Sequence, residues 1–415
     1  MNDYTPVLLF IANHPITQSP NRPIIKSLNL FYNPSMHIAL NAHLLAGRAS
    51  YRSAGIHQYI DNLLRHLPAA APEFRYTVFV GEGQPEMDGA IIKRTSLPTI
   101  RPPVRLFWEQ FIQPLELLRL RPDLLHSLAF VSPLVNPTPA VVTVYDLSFK
   151  LFPERFLPAQ RLYLSMFTTH SCRRARRVIA ISESTRQDVI RLFKIDRAQV
   201  DVAAPGVHPA FRPLAASQID SFRARAGLVD PFILYLGTLE PRKNLDSLIR
   251  AFANLKPETR NLNLILAGAK GWLYASLFRL VQELNLTASV HFPGYLPAED
   301  LALWYNACAV FAYPSSYEGF GMPVLEALAC GKPVVTTNVS SLPEAGGEAA
   351  LRVPPGDVPA LTSALARALT LDPEALARGP LHASRFTWAN TAAQTVASYR
   401  KALTPPLPMG EGAGG

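Results

Sequence analysis

The sequence predicts an α/β chain built as two Rossmann-like, doubly wound domains that face each other across a cleft. Three observations carry that expectation. Short β-branched runs alternate with helical periodicity from His37 to Asn338, the pattern of βαβ units in a parallel sheet covered on both faces. The alternation breaks at AAPGVHPAFRPL (203–214), a Pro- and Gly-bearing stretch without periodicity, and then restarts. The composition, 48% hydrophobic and 17% charged over 415 residues, supplies apolar surface for more than one sizeable core.

In the first series HIALN (37–41), YTVFV (76–80), VVTVYD (141–146) and VIAIS (178–182) read as strands. Amphipathic helical patterns occupy 55–67, 105–120, 158–174 and 183–193. The second series has FILYLG (232–237), NLILAG (263–268), VHFPG (290–294), AVFAYPS (309–315) and PVVTTN (333–338) as strands. Its helices start at Asn244, run up to Leu284 and cover 298–307. The expected division is an N-terminal extension over 1–36, a first domain over 37–207, a second over 208–403 and a tail over 404–415. The last helix of the second domain is expected to pack back on the first. Residues 1–36 show no clean period, and Met36 stands before the first convincing strand, so the extension reads as an upstream start. The Pro- and Gly-rich TPPLPMGEGAGG reads as a disordered tail.

Cysteines at 172, 308 and 330 have neither metal-ligand spacing nor the density of a disulfide framework, which fits a reducing compartment. No run approaches the ~18 apolar residues of a membrane span, and VLLFIA (7–12) lacks the basic flank of a secretory signal. The chain is expected in the cytosol. Of its net charge of +9, residues 37–205 carry +7 (21 basic, 14 acidic) and residues 206–415 carry +1 (17 basic, 16 acidic). A basic half attracts polyanions such as nucleic acid or an anionic membrane face, or serves solubility alone. No aromatic-rich RNA motif or recognition helix accompanies it, so nucleic acid is not expected as a partner. RLFWEQFIQPLELLRLR (105–121) suits either core packing or a membrane surface. Arg173, Arg174, Arg176 and Arg177 suit a helix end or a surface patch.

The sequence contains no GxxxxGK[ST] loop, HExxH, GxSxG or CxxC, and no Asp-any-Asp pair that would clamp a metal on a nucleotide diphosphate. Any bound diphosphate must then meet amides and cationic side chains, and no metal or cofactor is expected. GTLEPRKNL (237–245) places Arg242 and Lys243 in the turn after the first strand of the second domain. A fork and a point charge there suit a pyrophosphate, whereas a helix start by itself favours acidic residues. SYEGFGMPVLEALACGKPVV (316–335) sets Glu318 and Glu326 around a GFG turn, with Pro323 at a first helical position and Gly331 past the helix end. Loop amides can face an anion, and both carboxylates can accept from sugar hydroxyls.

These motifs resemble the retaining glycosyltransferases of family four, which have the GT-B double-Rossmann fold. The resemblance runs over nearly all of 37–400. It includes GIHQY (55–59), FWEQ (107–110), LLHSL (124–128), YDLSFKLFPE (145–154), VIAISESTRQDV (178–189), APGVHPAFRP (204–213) and FPGYLPAEDL (292–301). It is closest in look to bacterial mannosyltransferases of surface-polysaccharide assembly. The resemblance implies that Arg242 and Lys243 bind the donor pyrophosphate, Glu318 the donor sugar and Glu326 the ribose. Gly319, Phe320 and Gly321 would offer main-chain amides to sugar and phosphate, the FPGY turn around Gly294 would meet the base, Gly237 would belong to the donor-binding set, and Gly55 would bring the first domain's backbone close to the phosphates. Tyr145-Asp146 stands where many relatives carry His-Asp, and a tyrosine tip keeps a hydrogen bond without a cationic form near neutral pH. His126 lines the acceptor side or is structural. The implied activity is transfer of a hexose, mannose from GDP-mannose, to a lipid-linked or glycan acceptor, with retention and without metal. The protein would be cytoplasmic and peripheral on the inner membrane face. The alternatives are a catalytically silent nucleotide-sugar-binding partner of another transferase and a GT-B sugar-nucleotide epimerase; a phosphorylase lacks its pyridoxal-phosphate lysine motif.

Overall fold

A computed structural model describes residues 36–45, 54–255, 259, 261–271 and 274–404. The expected N-terminal extension (except Met36) and the tail past Thr404 lie outside the described residues. Two parallel sheets form the molecule. The first holds β1 (His37–Asn41), β2 (Arg75–Val80), β3 (Ile91–Arg94), β4 (Leu124–Ser127), β5 (Ala140–Val144), β6 (Arg177–Ala180) and β7 (Val200–Val202), in the order β3-β2-β1-β4-β5-β6-β7. The second holds β8 (Phe232–Leu236), β9 (Asn263–Ala267), β10 (Val290–Gly294), β11 (Val310–Tyr313), β12 (Val334–Thr337) and β13 (Leu351–Val353), in the order β10-β9-β8-β11-β12-β13.

The central strands β1, β5 and β8 are buried along their whole length, as strands covered by helices on both faces must be. In register, Ile38 sits between Tyr76 and Leu124, and Leu234 between Ile265 and Phe311. Strand order reverses between β1 and β4 in the first sheet and between β8 and β11 in the second. At such a reversal the two crossovers leave in opposite directions and open a crevice at the carboxyl ends, where ligands of this architecture bind.

The last helix, Trp388–Leu403, crosses back to the first sheet. Its Tyr399 hydroxyl lies 2.6 Å from His126 Nδ1, its Thr391 hydroxyl donates to the Ala204 carbonyl, and Trp388 packs edge-on to Tyr59 of the Ala54–Ala70 helix. The stretch over 102–120 is a continuous helical rod with a π-helical segment, Trp108–Ile112, between two α-helical pieces. Trp108 and Leu117 are buried, while Phe107, Phe111, Leu115 and Leu118 are each more than half exposed. Core packing therefore accounts for one face of this rod and leaves the other apolar and open. Cys172, Cys308 and Cys330 are free and buried. Among the described residues no helix is long and apolar enough to cross a membrane.

Candidate functional site

The site is built at the strand reversal of the second sheet. β8 ends at Leu236, Gly237 follows, and Pro241–Lys243 makes one 3-10 turn closed by Asn244 in the left-handed region before the Leu245–Leu255 helix. That turn brings Arg242 and Lys243 to the carboxyl end of β8. Across the reversal, β11 ends at Tyr313 and delivers Glu318.

Glu318 is buried and takes one cation on each carboxylate oxygen. Arg242 Nη1 is 2.8 Å from Oε2, and Lys243 Nζ is 2.5 Å from Oε1. Lys243, 5% exposed, also donates to the Tyr313 hydroxyl at 2.8 Å. Arg242 is braced by Glu240 and by the Tyr317 carbonyl. Burial opposes charge on Glu318, yet the Arg242 guanidinium and the Lys243 ammonium outweigh it and hold the carboxyl down at about 2. Burial and the neighbouring Arg242 push Lys243 below the usual lysine value. Two carboxylates and two cations thus neutralise one another in a largely buried cluster. An entering diphosphate would compete with Glu318 for the two cations and would bring its own negative charge into a site that is neutral without it.

The loop after Glu318 is fixed by its backbone. The Glu318 amide donates to Ser340 Oγ, and its carbonyl accepts from Ser341 Oγ. Gly319 lies so close to the first domain that a Cβ there would stand 2.1 Å from the Tyr145 carbonyl oxygen, so any side chain would force the halves apart. Phe320 is buried with its ring beside Phe386, which leaves its main chain for the loop. Gly321, at φ 102, turns the chain into the Met322–Ala329 helix through a backbone conformation that L side chains rarely adopt. On that helix Glu326 accepts from the Tyr305 hydroxyl at 2.8 Å, and burial pushes its carboxyl up to about 7. Gly294 ends β10 with its carbonyl accepting from the Gly268 amide at 2.7 Å, which sets it beside the end of β9.

The first domain departs from expectation at Tyr145, and at His126 it takes the structural one of the two readings. The Tyr145 hydroxyl donates to the Leu128 carbonyl at 2.8 Å, and its ring packs between Tyr59 and Phe130. A hydrogen-bonding phenol tip in the crevice is therefore corrected: Tyr145 meets the donor loop through its main-chain carbonyl. His126, in β4, is fully buried between Thr143 Oγ1 at 2.8 Å and the Tyr399 hydroxyl. Burial lowers its pKa to about 3, so it is a neutral tie between the first sheet and the last helix, not a residue lining the acceptor side. Asp146 accepts from the Ser148 amide and hydroxyl at the start of a short helix. Gly55 is exposed near the start of its helix, with open space where a Cβ would stand, and residues 46–53 ahead of it lie outside the described residues.

Several residues joining the halves have no local sequence signal. Thr185 Oγ1 lies 3.2 Å from both the Tyr145 and Gly319 carbonyls. The Tyr317 hydroxyl donates to Asp188 and accepts from the Leu147 amide. Glu344 of the second domain accepts from the Glu183 and Ser184 amides at 2.7 and 2.8 Å, capping the Glu183–Phe193 helix of the first. Every one of these contacts that crosses between the halves joins residues more than 120 apart in sequence, so only folding brings them together. Among the described residues no His, Cys, Asp and Glu side chains gather in threes as a metal cluster.

Comparison with known proteins agrees with this geometry. Residues 218–379 match the model of "Glycosyl transferases group 1", and residues 53–211 match that of "Glycosyltransferase Family 4". The chain is 36% identical over 267 residues to the O-antigen chain mannosyltransferase B of Escherichia coli, covering 63% of this chain and 70% of that protein. It is 33% identical over 278 residues to the serotype-specific mannosyltransferase WbdA of Escherichia coli, covering 64% of this chain but 34% of that longer protein. The sucrose-phosphate synthase structure from Thermosynechococcus elongatus superposes with a TM-score of 0.68 at 24% identity, over 88% of this chain and 98% of that one. Two facing Rossmann-like sheets, a strand reversal bearing Arg242, Lys243 and Glu318, and these similarities place the chain in the family-four glycosyltransferases of the GT-B fold.

Proposed function

We propose that this glycosyltransferase moves mannose from GDP-mannose, with retention and without a metal, to a lipid-linked or glycan acceptor in bacterial surface-polysaccharide synthesis. The observation that carries the reading is the grip of Arg242 and Lys243 on Glu318 at the strand reversal, under the carbonyl of Tyr145. Breaking the anomeric carbon–oxygen bond sends its electron pair to the diphosphate, and the guanidinium and ammonium meet that charge. Fixed cations in a water-poor pocket are the largest kind of transition-state stabilisation. The acceptor oxygen bonds to the same face of the anomeric carbon, and its proton passes to the departing diphosphate oxygen. Mannose is supported by the two Escherichia coli relatives, whose names give them that sugar.

A lipid surface at the first domain is supported by the open stripe Phe107, Phe111, Leu115 and Leu118, with Arg101, Arg119 and Arg121 also exposed in this segment. A silent nucleotide-sugar-binding partner is favoured by one observation, the Tyr145 phenol turned into the core. Product formation separates the two readings.

The test is a panel of GDP-mannose, GDP-fucose, UDP-glucose and UDP-galactose, read by thermal stabilisation and by transfer, with and without EDTA. The expected result is selective stabilisation by GDP-mannose, EDTA-resistant transfer and an α-linked product by NMR. Arg242→Ala with Lys243→Ala is expected to lower kcat/KM by about 10²–10³-fold or more and to abolish the stabilisation. Stabilisation that survives the double substitution would sink the phosphate assignment.

A further inference from the structure

The donor reading leaves the strand reversal of the first sheet unused. There β1 ends at Asn41, and Ala129, Phe130 and Val131 follow β4. Ligands of parallel sheets lodge at such a reversal. A cavity of about 30 Å³ opens at this place, and its lining includes Asn41, Arg105, Glu109, Phe130, Tyr163 and Leu164. Glu109 comes from the π-helical segment Trp108–Ile112, a kind of irregularity that recurs at functional sites.

Glu109 is 5% exposed, yet each of its polar contacts is long. Asn41 Nδ2 lies at 3.5 Å, the Tyr163 hydroxyl at 3.4 Å and Arg105 Nε at 3.9 Å. Carboxylates with committed partners make bonds nearer ~2.7–2.9 Å. Next to it, Gln113 is fully buried with its Nε2 unpartnered. The cluster is polar on one side and apolar on the other, through Phe130 and Leu164. The volume holds about two water-sized groups, too few for a sugar ring and enough for a hydroxyl or hydroxymethyl arm. Phe130 packs on Tyr145 with ring centroids 5.6 Å apart, and the Tyr145 carbonyl meets Gly319 of the donor loop. The cavity is one side-chain layer from the place where the two halves touch.

We propose that this cavity is the acceptor subsite, in which Glu109, flanked by Arg105 and Tyr163, holds a hydroxyl or hydroxymethyl group of the acceptor's terminal hexose. This rests on the donor lying on the second domain as proposed above. Glu109 acts by binding and orienting, so that another hydroxyl of the same sugar faces the anomeric carbon. Burial pushes its carboxyl up to about 7, so acid and carboxylate forms interchange in the range where the protein works.

The experiment measures transfer from GDP-mannose to octyl α-D-mannoside by the wild-type protein, Glu109→Gln and Tyr163→Phe, between pH 6 and 8. GDP-mannose thermal stabilisation is the independent donor readout. Expected for Glu109→Gln is a KM for octyl mannoside raised about tenfold, the size of one hydrogen bond to a charged group, with GDP-mannose stabilisation retained. The pH dependence of acceptor KM in the wild type flattens in this variant. If Glu109→Gln does not fold, Tyr163→Phe carries the same comparison, with KM raised severalfold. The proposal is overturned by an acceptor KM unchanged within twofold, by donor stabilisation falling in parallel, or by a wild-type protein that binds GDP-mannose but neither binds nor glycosylates octyl mannoside. A wild-type protein that GDP-mannose does not stabilise overturns the donor reading instead.

Discussion

At Glu318 a carboxylate, a guanidinium and an ammonium share one water-poor volume, and removing the carboxylate acts on all three. Glu318→Gln frees Arg242 and Lys243 from their partner and leaves two cations to a diphosphate. GDP is then expected to bind severalfold more tightly by calorimetry while mannosyl transfer falls at least tenfold. The unliganded variant is expected to lose about 3–5 kcal/mol of stability, as when a buried ion pair loses one partner. Glu326 gives a prediction with the opposite sign. In the unfolded chain it ionises near ~4.3, and in the folded protein near about 7. The unfolded state releases its proton first as pH rises, so its stabilising contribution is whole below ~4.3 and is lost as pH passes through 7. Glu318, held at about 2, contributes above ~4.3 and loses that contribution as pH falls through 2. The melting temperature of the unliganded protein is expected to be highest near pH 5 and to fall toward pH 8. Glu326→Gln is expected to reduce the alkaline fall. The charged residues themselves were legible in the sequence, because Arg242-Lys243 and the Glu318–Glu326 spacing are local patterns. The orientation of Tyr145 was not, since its ring is placed by Tyr59 and Phe130, distant in sequence.

Most central strands announced themselves as apolar runs because both their faces are buried, but β4 (LLHS), short and without a β-branched residue, did not. Of the edge strands, β10 was legible and the other three were not. β3 (IIKR) is largely exposed, and β7 and β13 are three residues each, so neither alternation nor a run distinguishes them from loop. The rod over 102–120 shows the same limit from the other side. Its sequence contains enough apolar residues for two faces, and only the contacts decide which face is inside. Phe111→Glu combined with Leu115→Glu changes two exposed positions and is expected to alter unfolding free energy by less than about 1 kcal/mol. Co-sedimentation with vesicles containing anionic phospholipid is expected to drop severalfold. Unchanged co-sedimentation would remove the lipid-surface reading and leave the donor chemistry standing.

Across the whole molecule, the two halves are held together by backbone approaches and by side chains that cap the opposite half. Glu344 is the clearest case, a carboxylate on one domain answering two amides at the first turn of a helix on the other. Glu344→Ala is expected to cost about 1–2 kcal/mol, the worth of a helix cap. Amide exchange at Glu183 and Ser184 is expected to quicken. If the halves part more readily, small-angle scattering will show an increased radius of gyration that GDP-mannose reverses. Protection at these amides unchanged from wild type would show that the cap does not couple the halves. The crossing of the last helix works alongside it, with Tyr399 on His126 and Thr391 on Ala204.

By itself the sequence determined what is periodic or local: two parallel-sheet domains, the break at 203–214, the cationic turn after β8, and the glycine loop after β11. These follow from side-chain alternation, helical repeat and turn chemistry within a few residues. Tertiary structure alone decided which carboxylate pairs with which cation, that Tyr145 and His126 turn inward, and that Glu344 of one half meets the Glu183 and Ser184 amides of the other. Each of those depends on burial and on partners brought together from distant segments, which no window along the chain contains.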